Sequence, residues 1–375
     1  MPFQSMILLV LLNYVYNADK IIAYKYKNVN GRPSISSEIP NENRTITPFI
    51  NLFHPFTLID SIDYKDLDKS KILNTKHMQF KYDFSLYEYK EDFTFSNIMI
   101  KDYHYYINSI SSWFPDQGIG FGYNINDTNF SIIAQLYIKN LIDKKILSIS
   151  FEDKEASGYL YFGGIPNNES LDTLSKGVCQ LEKKYRRWGC QITEITIGNL
   201  IYNKTMDSVF HNNFYGVFYS SSLFDFIRYN ILYQEIKDGN CTVFTGDDER
   251  LFMTCHELHN RNQTIDFNFK GTIIKIPIIE LFEISPSSMK SLFFSNGYEF
   301  YKKYDIIFGI HFFRLFDYLS FDYTKGEISM YSKSVEIISH RGNNSSIRIV
   351  IYINTFLSII NITHIILILF KFKYT

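Results

Sequence analysis

Few groupings of residues in this sequence have the types and spacing that chemistry needs. Cys255-His256-Glu257-Leu258-His259 puts two imidazoles, a thiol and a carboxylate within five positions, a set zinc would accept. Two histidines three apart lack the further ligand pair that closes a zinc site, so neither a metal nor any other cofactor is expected. Ser220-Ser221-Ser222 offers hydroxyls without the Gly-X-Ser-X-Gly turn that lifts a nucleophilic serine above a sheet. No glycine loop suited to cradling phosphate occurs. The four cysteines read as structural. Cys179 and Cys190 flank the turn-like Lys183-Lys184-Tyr185-Arg186-Arg187, and two strands closing there bring the thiols within bridging distance. Cys241 with Cys255 would be the second pair, though four cysteines allow three connectivities.

The whole-chain balance narrows the partners. Across 375 residues, 38 Lys and Arg face 39 Asp and Glu, which leaves no basic surplus for phosphate contacts, so no nucleic acid partner is expected. With 34 Phe and 29 Tyr, the chain has too much apolar surface to stay unfolded. Its two ends differ from the middle. Ile7-Leu8-Leu9-Val10-Leu11-Leu12 has the length of a signal-peptide core, and residues 1–18 are predicted to be a signal peptide. Residues 349–370 contain no Lys, Arg, Asp or Glu and are followed by Lys371 and Lys373, the pattern of one transmembrane helix with a cytoplasmic end. A lipid-anchor signal, with Gly342-Asn343-Asn344-Ser345-Ser346 as its small-residue site, is the alternative. Together the ends imply a single-pass protein of the secretory pathway or cell surface with a lumenal or extracellular body. Glycosylation sequons at Asn43, Asn126, Asn168, Asn203 and Asn262, and weaker ones at Asn129, Asn240, Asn343 and Asn344, agree with that compartment.

Within the body the elements are mostly strands. Residues 80–89 alternate apolar and polar with period two, and similar strands are expected at 146–151, 158–162, 191–197 and 265–276. Helical spacing recurs over 130–141 and over 221–233. Short strands separated by turns every ten residues or so define a mostly β architecture.

The order of several motifs carries a resemblance. Asp116-Gln117-Gly118-Ile119-Gly120-Phe121-Gly122 resembles the Asp-Gly-Ile-Leu-Gly-Leu-Gly segment of pepsin-like aspartic proteases. Gly158-Tyr159-Leu160-Tyr161-Phe162-Gly163-Gly164 is similar to that family's Gly-Glu-Leu-Thr-Phe-Gly-Gly. Trp188-Gly189-Cys190-Gln191-Ile192 resembles its Tyr-Trp-Gln-Ile, and Ile307-Phe308-Gly309-Ile310-His311-Phe312-Phe313-Arg314 its Ile-Leu-Gly-Asp-Xaa-Phe-Leu-Arg. The resemblance implies a bilobed pepsin-like fold with few short helices, its N-terminal lobe over 38–155 and its C-terminal lobe over 156–334.

It also implies one catalytic Asp from each lobe, two carboxylates sharing a proton and activating a water for attack on an amide. The sequence has neither Asp-Thr-Gly motif. In the second lobe, Tyr215-Gly216-Val217-Phe218-Tyr219-Ser220 puts Phe218 at the expected Asp. In the first, the candidates are Ile50-Asn51-Leu52 and Leu58-Ile59-Asp60-Ser61-Ile62, so that Asp60 is the one acidic candidate, while Tyr82 would sit in the flap. The expectation is therefore a membrane-anchored, catalytically inactive homologue that binds peptide or protein in the interlobe cleft. An active endopeptidase with an atypical site is the alternative.

Overall fold

The computed structural model describes residues 20–339 except 30–31, 35–36, 40–43, 47–48, 53–56, 61–71, 80–82, 96–97, 109–117, 124–130, 153–156, 167–170, 183–186, 213, 247–250, 260, 262, 286–287 and 296–302. The signal peptide expected at 1–18, the helix expected at 349–370, Tyr82, and the sequons at Asn43, Asn126, Asn129, Asn168, Asn262, Asn343 and Asn344 lie outside the described residues. No helix among the described residues is long and apolar enough to cross a membrane.

A seven-stranded sheet joins the two halves of the chain. Its strands run in the order Ser175–Gln180, Glu327–Ser332, Tyr318–Asp322, Ile146–Phe151, Ser157–Phe162, Ile22–Val29 and Arg32–Ser34. Period-two alternation fixes which face each strand buries. Ile149 stands between Leu160 and Leu319 in register, and Met330 continues that apolar row beside Leu319. All four are buried. The first half adds a long hairpin, Asp83–Phe95 against Ile98–Asn108, on whose inner face Tyr89 and Tyr105 stack at 5.8 Å and Phe93 meets Tyr103 at 5.2 Å. The second half adds three smaller sheets.

Three expected elements are shorter than the sequence suggested. The run over 265–276 is a hairpin, Thr264–Asn268 and Thr272–Pro277, because Lys270 and Gly271 adopt positive φ and the Asn268 side chain accepts the Gly271 N–H at 3.2 Å. The helical stretch at 130–141 is helix only over Ile132–Ile138, and the one at 221–233 ends at Ile231, with a second short helix at Tyr233–Lys237.

Cys179 is bonded to Cys190 and Cys241 to Cys255, with Cα separations of 6.1 and 4.1 Å. The second pair sits directly opposite in an antiparallel ladder. Beside the first, the wholly buried Trp188 packs on Tyr123 and Phe321, and its Nε1–H donates to the Phe121 carbonyl at 2.8 Å. Tyr323 donates to the same carbonyl at 2.6 Å.

Burial pushes the phenols of Tyr26, Tyr103, Tyr219 and Tyr323 above their ordinary pKa of 10. In the unfolded chain they would ionise near pH ~10, while the fold keeps them neutral, so the unfolded state binds fewer protons above that pH. Their contribution is fully present below pH ~10 and is lost as the pH rises toward the folded values, at about 1.4 kcal/mol per group per pH unit. Urea midpoints measured from pH 8 to 11 should stay level to about pH 9.5 and then fall steeply. A flat profile through pH 11 would contradict this assignment.

Candidate functional site

Each half contains a strand, a loop and a second strand, with a third strand inserted between the two. In the first half, Ile50–Asn51 enters parallel to Ile119–Gly120 and the chain leaves along Leu58–Asp60 on the opposite side. Ile119 donates its N–H to the Phe49 carbonyl and Phe121 to the Asn51 carbonyl, both at 2.7 Å, while Leu58 and Gly118 exchange two hydrogen bonds of 2.9 Å. In the second half, Met206–Phe210 enters parallel to Ile306–Phe308, and Val217–Tyr219 leaves antiparallel on its other side. His211 donates its backbone N–H to the Phe308 carbonyl at 2.8 Å. The inserted strands carry glycine where neighbours crowd in. A Cβ on Gly118 would lie 2.1 Å from the Phe49 carbonyl oxygen, and one on Gly309 would lie 2.2 Å from that of Gly216.

Among the described residues, the Asn212 side chain joins the two loops. Asn212 accepts the Leu52 N–H at Oδ1, at 2.8 Å, and donates from Nδ2 to the Ile50 carbonyl. A carboxamide suits both bonds because it carries an acceptor and a donor side by side. Ile50, Asn51, Leu52, His211 and Asn212 are all buried. Asn51 and His211 thus hold matching places: each ends its incoming strand's ladder at the mouth of its loop, one residue before the cross-linked position. Leu52, matching Asn212, is apolar, so the cross-link runs in one direction only.

Phe218 is placed elsewhere. It lies in the middle of Val217–Tyr219, the outgoing strand, seven residues beyond His211. Its ring packs on Phe214 at 4.9 Å and Phe294 at 5.0 Å, in a small cluster with Val209, Tyr304 and Ile307. Asp60 likewise ends the outgoing strand of the first half, paired with Asn108. Neither is in the loop. The acid on the second half's incoming strand, Asp207, is four residues before His211, roughly 13 Å away at 3.3 Å per residue. It is engaged there with Asp305, which accepts the Asp207 N–H at 3.0 Å and pairs with Lys204 at 3.6 Å. Among the described residues no group of three or more His, Cys, Asp or Glu is arranged to hold a metal; His259 lies 4.0 Å from Glu235.

Ser222-Leu223 has the residue types of the Ser-Leu that follows the family's motif, which draws the alignment past His211 and Asn212 to Phe218. Ser222 and Leu223 open the helix Ser221–Ile231 instead. The available signal was an apolar strand, Ser208-Val209-Phe210, stopping at the polar His211-Asn212-Asn213.

The fold is that of the pepsin-like proteases: a crystal structure of an aspartic proteinase from Irpex lacteus superposes with a TM-score of 0.63 at 15% identity, covering 84% of this chain and 98% of that one. The family model for eukaryotic aspartyl proteases matches residues 91–332, and the chain belongs to that family. No curated protein matches it by sequence.

Asn212→Ala would leave the Leu52 N–H and the Ile50 carbonyl buried without their partner, at about 1–3 kcal/mol each. Chemical denaturation should show a loss of about 2–5 kcal/mol with an unchanged m-value. A loss below about 0.5 kcal/mol would mean the contact between the loops is not needed.

Proposed function

We propose that this protein is a pepsin-like domain without proteolytic activity, that it acts by binding peptide or protein, and that its C-terminal segment holds it at a membrane. The observation carrying the first part is the pair Asn51 and His211 at the mouths of the two meeting loops. In the family's chemistry each lobe supplies a carboxylate, and the two share a proton because like charges so close cannot both ionise. The Asn51 carboxamide neither ionises nor shares an acidic proton. His211, in the matching place of the second half, carries an imidazole where the family's chemistry needs a carboxylic acid. Both side chains are also buried. What the fold retains is surface, and binding would engage the walls around these loops rather than the buried pair itself.

Two features support the anchored, lumenal setting. Both disulfides suit an oxidising compartment. The charge-free 349–370 segment ahead of Lys371 and Lys373 has the length and flank of a membrane span.

Incubated with denatured casein between pH 3 and 6, the purified chain should release no peptides above a buffer blank. Pepstatin-sensitive release would overturn the inactive reading and establish an atypical endopeptidase. Expressed in a secretory host, the full chain should remain in the pellet after alkaline carbonate extraction, while a chain ending at Ser339 should appear in the medium. Release of both would remove the anchor from the proposal.

A further inference from the structure

The seven-stranded sheet has a second face, turned away from its apolar core row. Reading across the ladder in register, one line of that face runs Lys25, Tyr159, Ser150, Tyr318, Tyr331, Lys176. The terminal lysines lie over the rings next to them, Lys25 at 5.7 Å from Tyr159 and Lys176 at 5.2 Å from Tyr331. Within the line the small Ser150 floors a groove of about 560 Å³. Three rings make up an aromatic shelf along it, with the buried Tyr161 at its centre stacked on Tyr159 at 5.8 Å and tilted against Tyr318 at 6.3 Å. Glu152, Asp317 and Lys333 stand in its lining.

The volume falls in the range of small-ligand sites, roughly 300–1,000 Å³. Its chemistry selects among ligands. Glu152 is already matched by Lys25 at 3.4 Å, and Asp317 and Lys333 add one charge of each sign, so the groove carries no net charge to select an ion. Leu174 is the one aliphatic side chain lining the groove among the described residues, which disfavours an apolar peptide. Aromatic faces present negative charge density to polarised C–H groups, while the surrounding carboxylates, hydroxyls and ammonium both accept and donate hydrogen bonds. A pyranose ring combines a C–H-rich face with a rim of hydroxyls. We propose that this groove is a binding site for a neutral oligosaccharide, separate from the paired loops.

The test uses the full-length chain, purified in a detergent without a sugar headgroup and titrated calorimetrically with N-acetylchitotriose, mannotriose and cellotriose. At least one of the three should bind. Tyr318→Ala should weaken that binding by about tenfold or more, and Lys333→Ala, at the exposed rim, by about threefold. Phe244→Ala, exposed on a different sheet, should leave it unchanged. Should circular dichroism show that Tyr318→Ala unfolds, Lys333→Ala and Asp317→Asn decide the matter, since both leave the aromatic shelf intact. Absence of binding by all three trisaccharides overturns the proposal. So does affinity that survives in every folded variant, or Tyr318-dependent binding of a proline-rich peptide in their place.

Discussion

The Asn212 carboxamide couples the backbones of two loops 160 residues apart in the chain. Its bonds to Leu52 and Ile50 are fully buried, in surroundings where an unpaired amide costs about 1–3 kcal/mol, so the loops can approach only if this fork is made. Everything around it serves that approach. Each loop springs from a strand pinned to an inserted third strand, and each inserted strand can come close because glycine takes the crowded position, Gly118 in one half and Gly309 in the other. The residues that end the two incoming strands are an amide, Asn51, and an imidazole, His211.

The second means of joining is the central sheet together with the Phe121 carbonyl. That oxygen lies just past the first half's inserted strand and receives both Trp188 and Tyr323 from the second half. The polar cross-link at the loops and this aromatic one beside the sheet hold Ile119–Gly120 from two directions. Burial holds the Tyr323 phenol above its ordinary pKa.

Much of the fold was legible in the sequence because period-two alternation survives wherever a strand has one buried face. Residues 146–151 and 158–162 were read as strands and lie in the central sheet nearly as bounded. The hairpin within 265–276 was not visible as a turn because its chain reversal depends on Lys270 at positive φ, which no propensity for lysine announces. The site was harder to read. Its position is defined by which strand lies between which, and Phe218 and Asp60 both belong to strands leaving a loop, one element later than the strands that enter it. Asn51 falls within a candidate stretch of the sequence, whereas His211, a histidine at the end of an apolar run, carries no local mark of its place.

Both disulfides are local in the chain, closing separations of 11 and 14 residues. One clasps the approach to Trp188 and the other a hairpin of the second half, so both covalent ties lie within residues 179–255. The union of the early and late parts of the polypeptide is therefore entirely noncovalent. A reducing environment would loosen two short loops and leave the long-range architecture to its ladders, rings and the single amide fork.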